Sequence, residues 1–158
     1  MLRNLIWTKQ INLYQLIIMS SNNSNNIPEK VINEITKLID CGLICFLNPE
    51  TLDIETIMGN SYYDDYSDMR DEIFSRINNW PKCIEIVPPE SWEGFKIMEK
   101  FTLSLPETSI IRQRLLNALD RKKPFSHFKE IIETSEYKSL WFEFKHKELM
   151  GLVRNQLI

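Results

Sequence analysis

The residues of this chain most suited to chemistry are a group of cations in its C-terminal third. The group comprises Arg112, Arg114, Arg121, Lys122, Lys123 and Lys129. Clustered cations can hold phosphate groups, and an exposed aromatic such as Phe125 can add base stacking. Cations at a helix end also stabilise the helix dipole, and Phe125 and Phe128 have core spacing. We interpret the group as a binding face for an acidic partner. Nucleic acid is the alternative, although a pI of 5.5 is low for such a protein.

A tyrosine-rich acidic segment is the second candidate site. It contains Tyr62, Tyr63, Asp64, Asp65 and Tyr66, and Asp68, Asp71 and Glu72 follow it. Tyrosines outside a core stripe favour a surface that binds a protein partner. The carboxylates could hold Mg²⁺ or Ca²⁺ in a metal-dependent hydrolase, but the spacing of a calcium loop is missing. Because an acidic helix start explains most of the carboxylates, we predict a protein-binding loop and no metal.

The cysteines and histidines do not have the spacing of a zinc site. Cys41 and Cys45 are four positions apart, Cys83 is distant, and neither His127 nor His146 has a ligand neighbour. We therefore predict that the cysteines are small buried hydrophobic residues with free thiols, which are typical of a reducing compartment. A cysteine nucleophile paired in space with one of the histidines stays open. The sequence predicts no catalytic residue and no cofactor.

Composition and charge are those of a globular protein divided into an acidic and a basic part. Of the 158 residues, 43% are hydrophobic and 26% are charged. Residues 27–106 carry 7 Lys/Arg against 15 Asp/Glu, whereas residues 107–158 carry 10 against 7. The C-terminal part is thus net positive, which is compatible with an acidic partner or with attraction between the two parts.

The first 26 residues differ from the rest of the chain. Residues 1–19 are rich in Leu, Ile, Trp and Tyr, but polar residues interrupt every apolar run before it could span a membrane. The following Asn/Ser tract reads as a linker without a signal-peptide cleavage site. We expect residues 1–26 to be a disordered extension, of which residues 1–18 are spurious if Met19 is the start. One cytoplasmic domain follows over residues 27–158.

Apolar spacing in residues 27–158 predicts an α+β fold. A helix begins at Pro28 and ends at Gly42, and a hairpin follows, formed by residues 43–47 and 52–58 around Asn48-Pro49-Glu50-Thr51. After a further helix, the strand at residues 83–87 joins the hairpin in a small three-stranded antiparallel sheet. A C-terminal cluster of about four helices then begins near residues 89, 106, 124 and 136. The first of these helices carries Trp92, Phe95, Met98, Phe101 and Leu105 at core spacing.

Several motifs in this order resemble those of a known bacterial family. They include Leu105-Pro106-Glu107, Arg114-Leu115-Leu116, the run from Lys123 to Lys129 and Trp141-Phe142-Glu143-Phe144. Over residues 32–154 the chain resembles uncharacterised protein family 0158, although Thr51-Leu52-Asp53 stands where the family has Thr-Gly-Glu. The resemblance implies a bacterial α+β domain with no established activity, so no functional residue is carried over. Because the charge is divided along the chain and catalytic pairs are absent from the sequence, we expect a non-enzymatic binding or adaptor protein.

Overall fold

The computed structural model describes residues 27–59 and 67–158, which form three strands and six helices. The strands are β1 (Leu43–Leu47), β2 (Ile54–Met58) and β3 (Ile84–Ile86). The helices are α1 (Glu29–Asp40), α2 (Ser67–Ile77), α3 (Ser91–Ser104), α4 (Ile110–Leu119), α5 (Pro124–Glu133) and α6 (Lys138–Gln156). The predicted α+β class is confirmed, with four helices after the last strand. Among the described residues, no helix combines the length and apolar character that crossing a membrane requires.

Helix α1 forms where the sequence predicts it and packs along α6. Ile32, Ile35 and Ile39 recur at helical spacing and are buried. Gly42, with φ of +83°, ends the helix in a conformation that only glycine adopts without strain. The sequence predicted Pro28 as the first helical residue, but Pro28 is the N-cap and the helix begins at Glu29. Ion pairs fix both ends of α1 to α6: Glu29 with Arg154, and Asp40 with Lys145 at 2.5 Å.

The sheet has the order β2-β1-β3, and both neighbours of β1 are antiparallel to it. In the hairpin turn, the side-chain Oδ1 of buried Asn48 accepts hydrogen bonds from the backbone N–H of Glu50 at 3.0 Å and of Thr51 at 3.4 Å. Leu52 then has φ of 65°, which is not a strand conformation. The second strand was predicted to begin at Leu52, but β2 begins at Ile54. A side chain thus shapes the turn that sets the register Leu47↔Ile54.

The two faces of β1 contact different helices because successive strand residues point in opposite directions. Cys45 and Leu47 belong to a buried cluster with α1 and α6 residues, whereas Phe46 packs with Ile73 and Ile77 of α2. Gln156 at the end of α6 also covers the end of β3. The Gln156 side-chain oxygen accepts a hydrogen bond from the backbone N–H of Val87 at 2.9 Å, and the Gln156 side-chain N–H donates one to the backbone carbonyl of Val87 at 3.1 Å. The sheet is therefore held between helices on both faces.

The C-terminal helices share an aromatic core. The ring of Phe101 on α3 lies 5.2 Å from that of Trp141 on α6, and Phe128 on α5 lies 4.8 Å from Trp141. The core prediction for Trp92 is wrong, since this residue is 54% exposed. In the first turn of α3 its indole N–H donates to Glu90 at 2.7 Å, and the Lys96 ammonium lies over its ring. Its partners are therefore surface charges.

Helix α4 begins later than the sequence predicts. Residues 106–109 form a turn in which the N–H of Ser109 bonds to the carbonyl of Pro106 at 2.9 Å. Ser109 is the N-cap, and its hydroxyl accepts a hydrogen bond from the backbone N–H of Arg112. The capping serine, and not the proline, therefore sets the start of α4.

Candidate functional site

The turn between α4 and α5 presents three consecutive cations to solvent. Helix α4 ends at Leu119, and Pro124 is well placed in the first turn of α5, because proline lacks the N–H that a helix start leaves unpaired. Arg121, Lys122 and Lys123 lie between them and are exposed. Lys123 is the N-cap of α5 in the left-handed conformation, with φ of 59° and ψ of 53°. A tight turn between two helices thus displays the cations.

The structure brings together only some of the six cations that the sequence singled out. Arg114 on α4 and Arg121 line one pocket, and Lys122 and Lys123 are exposed beside Arg121 in the turn. Arg112 is half-buried and donates from Nη1 to the carbonyl of Leu105 at 3.0 Å. It therefore holds the α3–α4 connection.

Lys129 lies on the face of α5 that points away from the pocket lined by Arg114 and Arg121. It lines a second, apolar groove, and its ammonium is 3.8 Å from Glu133. Of the six cations, four accordingly remain as one surface. We call this set the basic surface and define it as Arg114, Arg121, Lys122 and Lys123.

The pocket beside the basic surface is a polar seam between α4 and α5 with a volume of about 360 Å³. Its lining includes Arg114, Asn117, Arg121, His127, Glu130 and Thr134. Residues 114, 117 and 118 lie on one face of α4, and residue 121 follows in the turn after that helix. Residues 127, 130 and 131 lie on one face of α5, and residue 134 is its C-cap. The Thr134 hydroxyl donates to backbone carbonyls of α5, so its oxygen can only accept from a ligand. The hydrogen-bond donors of the pocket are therefore chiefly the two guanidinium groups and the Asn117 amide, and Ala118 and Ile131 supply an apolar part of its wall.

The arginines of the pocket differ from the other arginines of the described chain. Four arginines have partners in the structure: Arg70 lies over the Phe74 ring, Arg76 pairs with Glu55 and Glu72, Arg112 binds a carbonyl, and Arg154 pairs with Glu29. Within residues 27–59 and 67–158, the side chains of Arg114 and Arg121 make no hydrogen bond or ion pair. Their guanidinium groups are thus free to bind a ligand.

The apolar groove lies on the opposite side of α5 and has a volume of about 760 Å³. It is lined by Pro88, Pro89, Phe125, Phe128, Trp141 and Phe142, among others. A Cβ added at Gly94 would stand 3.2 Å from the Phe125 ring, so the glycine allows the close approach of α3 and α5. Phe125 therefore belongs to this groove, away from the polar pocket. The sequence did not predict the groove, because its walls come from distant segments.

The second predicted site lies outside the described residues. This holds for Tyr62, Tyr63, Asp64, Asp65 and Tyr66, and the protein-binding loop stays a prediction. In the described part of the chain, the Arg76 guanidinium is held between Glu55 at 2.7 Å and Glu72 at 2.9 Å, and the hydrogen bond and charge of these carboxylates raise its pKa. In the part of the chain that the structure describes, no three His, Cys, Asp or Glu side chains are grouped as metal ligands.

The cysteines have different environments, and the prediction that all are buried is wrong for two of them. Cys45 in β1 is buried, and burial raises the pKa of its thiol to about 11. Cys41 and Cys83 are exposed because they follow α1 and precede β3, outside the buried stripes. Partial burial and then the Glu85 charge raise the Cys83 pKa. His146 bonds to Asn33 at 2.6 Å, and no described cysteine contacts a histidine through a hydrogen bond.

Replacing Lys123 with glycine should raise the free energy of unfolding by up to about 1 kcal/mol. Glycine adopts the left-handed conformation without the side-chain clash, and the change removes a cation from the positive end of α5. Urea denaturation measures the effect. Lys122→Gly is the matched control, and it should lower stability because Lys122 has no positive φ to relieve. Equal losses in both variants would contradict the role assigned to the backbone of Lys123.

Comparisons with known proteins provide no family for this chain. No family model, curated protein or solved structure matches it. The resemblance to uncharacterised protein family 0158 therefore stays a prediction, and the assignment of a function must depend on the geometry described above.

Proposed function

We propose that this chain is a non-enzymatic binding protein that holds an acidic segment of a partner protein on the basic surface. The observation that carries the proposal is that Arg114, Arg121, Lys122 and Lys123 are exposed, adjacent and without ion pairs among the described residues. Elsewhere, Lys100 and Lys145 contact carboxylates at 2.7 Å and 2.5 Å, and the other lysines that are unpaired among the described residues, such as Lys30 and Lys82, do not follow one another in the chain. Unpaired neighbouring cations repel one another, and an acidic ligand relieves that repulsion.

The division of charge along the chain supports the same proposal. Residues 107–158 have a net charge of +3, whereas residues 27–106 have a net charge of −8. An acidic segment that approaches the protein is therefore attracted to the C-terminal helices and repelled by the rest. Such complementarity chiefly increases the association rate and the selectivity of binding.

Nucleic acid is the alternative partner, and one observation makes it less favoured. Phe125 was the aromatic expected to stack on bases beside the cations, but it lines the apolar groove. The basic surface is then left with cations alone, which bind phosphates without stacking.

A bacterial cytoplasmic location is part of the proposal. It is supported by the free thiols of Cys41, Cys45 and Cys83, which suit a reducing compartment.

A binding titration of the full chain tests the proposal. The ligands are a fluorescent peptide of alternating Glu and Gly, a single-stranded RNA and a DNA duplex, each at about 50 and about 200 mM salt. We expect the peptide to bind at low salt. Binding should weaken at least about tenfold when Arg121, Lys122 and Lys123 are changed to alanine, because several charge contacts are lost together.

The control carries the same change in net charge at a different place. It combines Lys30→Ala, Lys82→Ala and Lys138→Ala, three exposed lysines that make no ion pair within the described residues. This variant should bind the peptide like the wild type. Equal losses in both triple variants, or no peptide binding at low salt, would overturn the proposal. Tighter binding of RNA or DNA than of the peptide would replace it with the nucleic-acid alternative.

A further inference from the structure

We infer that the polar pocket between α4 and α5 receives a phosphate monoester on a side chain of the partner segment. The inference depends on the proposed function and makes it more specific, because it assigns one chemical group to one pocket. Arg114 and Arg121 line the pocket from the α4 side, and His127 lines it from α5. Lys122 and Lys123 lie in the turn beside it, where they can contact acidic residues that flank the phosphate.

The number of donors favours a phosphate over a carboxylate. Each guanidinium offers five N–H donors in a planar fork, and Asn117 and His127 add further donors. A carboxylate has two oxygens and one charge. A phosphate monoester has three terminal oxygens and a charge near −2 at neutral pH, so it can accept from both arginines at once.

The absence of internal partners for the two arginines supports the same conclusion. Glu130 also lines the pocket, yet within the described residues neither arginine forms an ion pair with it. The guanidinium groups are therefore not neutralised by the nearest carboxylate of their own pocket. Glu130 repels a bound phosphate, so Glu130→Gln should increase affinity for the phosphate group.

The size of the pocket limits the ligand. A volume of about 360 Å³ is at the small end of the range for ligand sites, which begins at about 300 Å³. A phosphorylated side chain fits such a volume, while the rest of the partner segment stays outside, over Lys122 and Lys123. The pocket thus binds the phosphate, and the cations of the turn bind the acidic residues that flank it.

Binding of three matched peptides to the full chain tests this inference. The peptides alternate Glu and Gly and carry phosphoserine, aspartate or serine at the centre; inorganic phosphate alone is a fourth probe. We expect the phosphoserine peptide to bind at least about tenfold more tightly than the aspartate peptide. Arg114→Lys together with Arg121→Lys keeps the charge but removes the forks, and it should abolish this preference while the aspartate peptide still binds.

Two further variants separate this inference from the proposed function. Lys122→Ala with Lys123→Ala should weaken the phosphoserine and aspartate peptides equally, and Glu130→Gln should tighten only the phosphoserine peptide. Equal affinity for both peptides in the wild type would overturn the inference but leave the proposed function standing. No binding of any acidic peptide would overturn both. Binding of inorganic phosphate as tight as that of the phosphoserine peptide would assign the pocket to a free phosphate compound instead. Circular-dichroism melting checks that the arginine variants fold, as expected for side chains without internal partners.

Discussion

Replacing Phe101 with alanine should lower the free energy of unfolding by about 3–5 kcal/mol. Phe101 on α3 is fully buried, and its ring lies 5.2 Å from that of Trp141 and 5.4 Å from that of Phe144. The substitution removes apolar surface from the core and leaves a cavity that two further aromatic rings cannot fill without rearrangement. Because whole domains are stable by about 5–15 kcal/mol, the loss is a large fraction of the total.

Phe142→Ala is the matched control for this prediction. Phe142 on α6 is 47% exposed and lines the apolar groove, so its removal leaves no enclosed cavity. We expect it to cost less than about 1 kcal/mol. Chemical denaturation with a common m-value measures both variants. Losses of similar size would show that the aromatic cluster of α3, α5 and α6 is not the main core of the C-terminal helices.

Raising the pH from about 7 to about 10 should destabilise the wild type by about 1.4 kcal/mol more than the Cys45→Ala variant. The Cys45 thiol has an ordinary pKa of 9.0, and burial in the native protein raises this pKa to about 11. Below pH 9 the thiol is protonated in both states, and its full contribution to stability is present. Above pH 9 the unfolded chain loses the proton while the native chain keeps it, so stability falls until the pH passes the native pKa.

Comparison with Cys45→Ala isolates this one group. The pKa of Cys83 is also raised, but Cys83 is present in both proteins, and its effect cancels in the difference. The alanine variant has a constant packing loss that does not depend on pH. Urea denaturation of both proteins at each pH measures the difference. An equal pH response of the two proteins would show that the Cys45 thiolate is solvated in the native protein.

The candidate site could be predicted only in part from the sequence. The cations were identified because they cluster along the chain. Pro124 marks the start of a helix, which places Arg121, Lys122 and Lys123 in an exposed turn before it. Sequence spacing could not show that Arg112 binds a backbone carbonyl, or that Lys129 lies on another face of its helix. Those outcomes depend on which side of each helix meets a neighbour.

The pocket itself was missed, although a signal for it was present. Asn117 and Glu130 belong to no recognisable sequence motif, and the residue type of His127 suggests only a zinc ligand or a catalytic partner. Residues 127 and 130 of α5 and its C-cap at 134 recur at helical spacing beside the apolar stripe of that helix. Residues 114 and 117 of α4 and residue 121, just after it, have a similar spacing. Two polar stripes on consecutive helices indicate a polar seam when the helices are antiparallel neighbours, so the comparison of the two stripes would have found it.

The sequence by itself determined the local features of this protein, because neighbours along the chain specify them. Gly42 ends α1, Asn48 shapes the hairpin turn, and the spacing of Ile32, Ile35 and Ile39 makes a buried helix face. Only the tertiary structure decided the placement of β1 between β2 and β3, the exposure of Trp92, and the freedom of Arg114 and Arg121. Each of these depends on contacts between segments far apart in the chain, and residue type does not specify the partner that folding brings near.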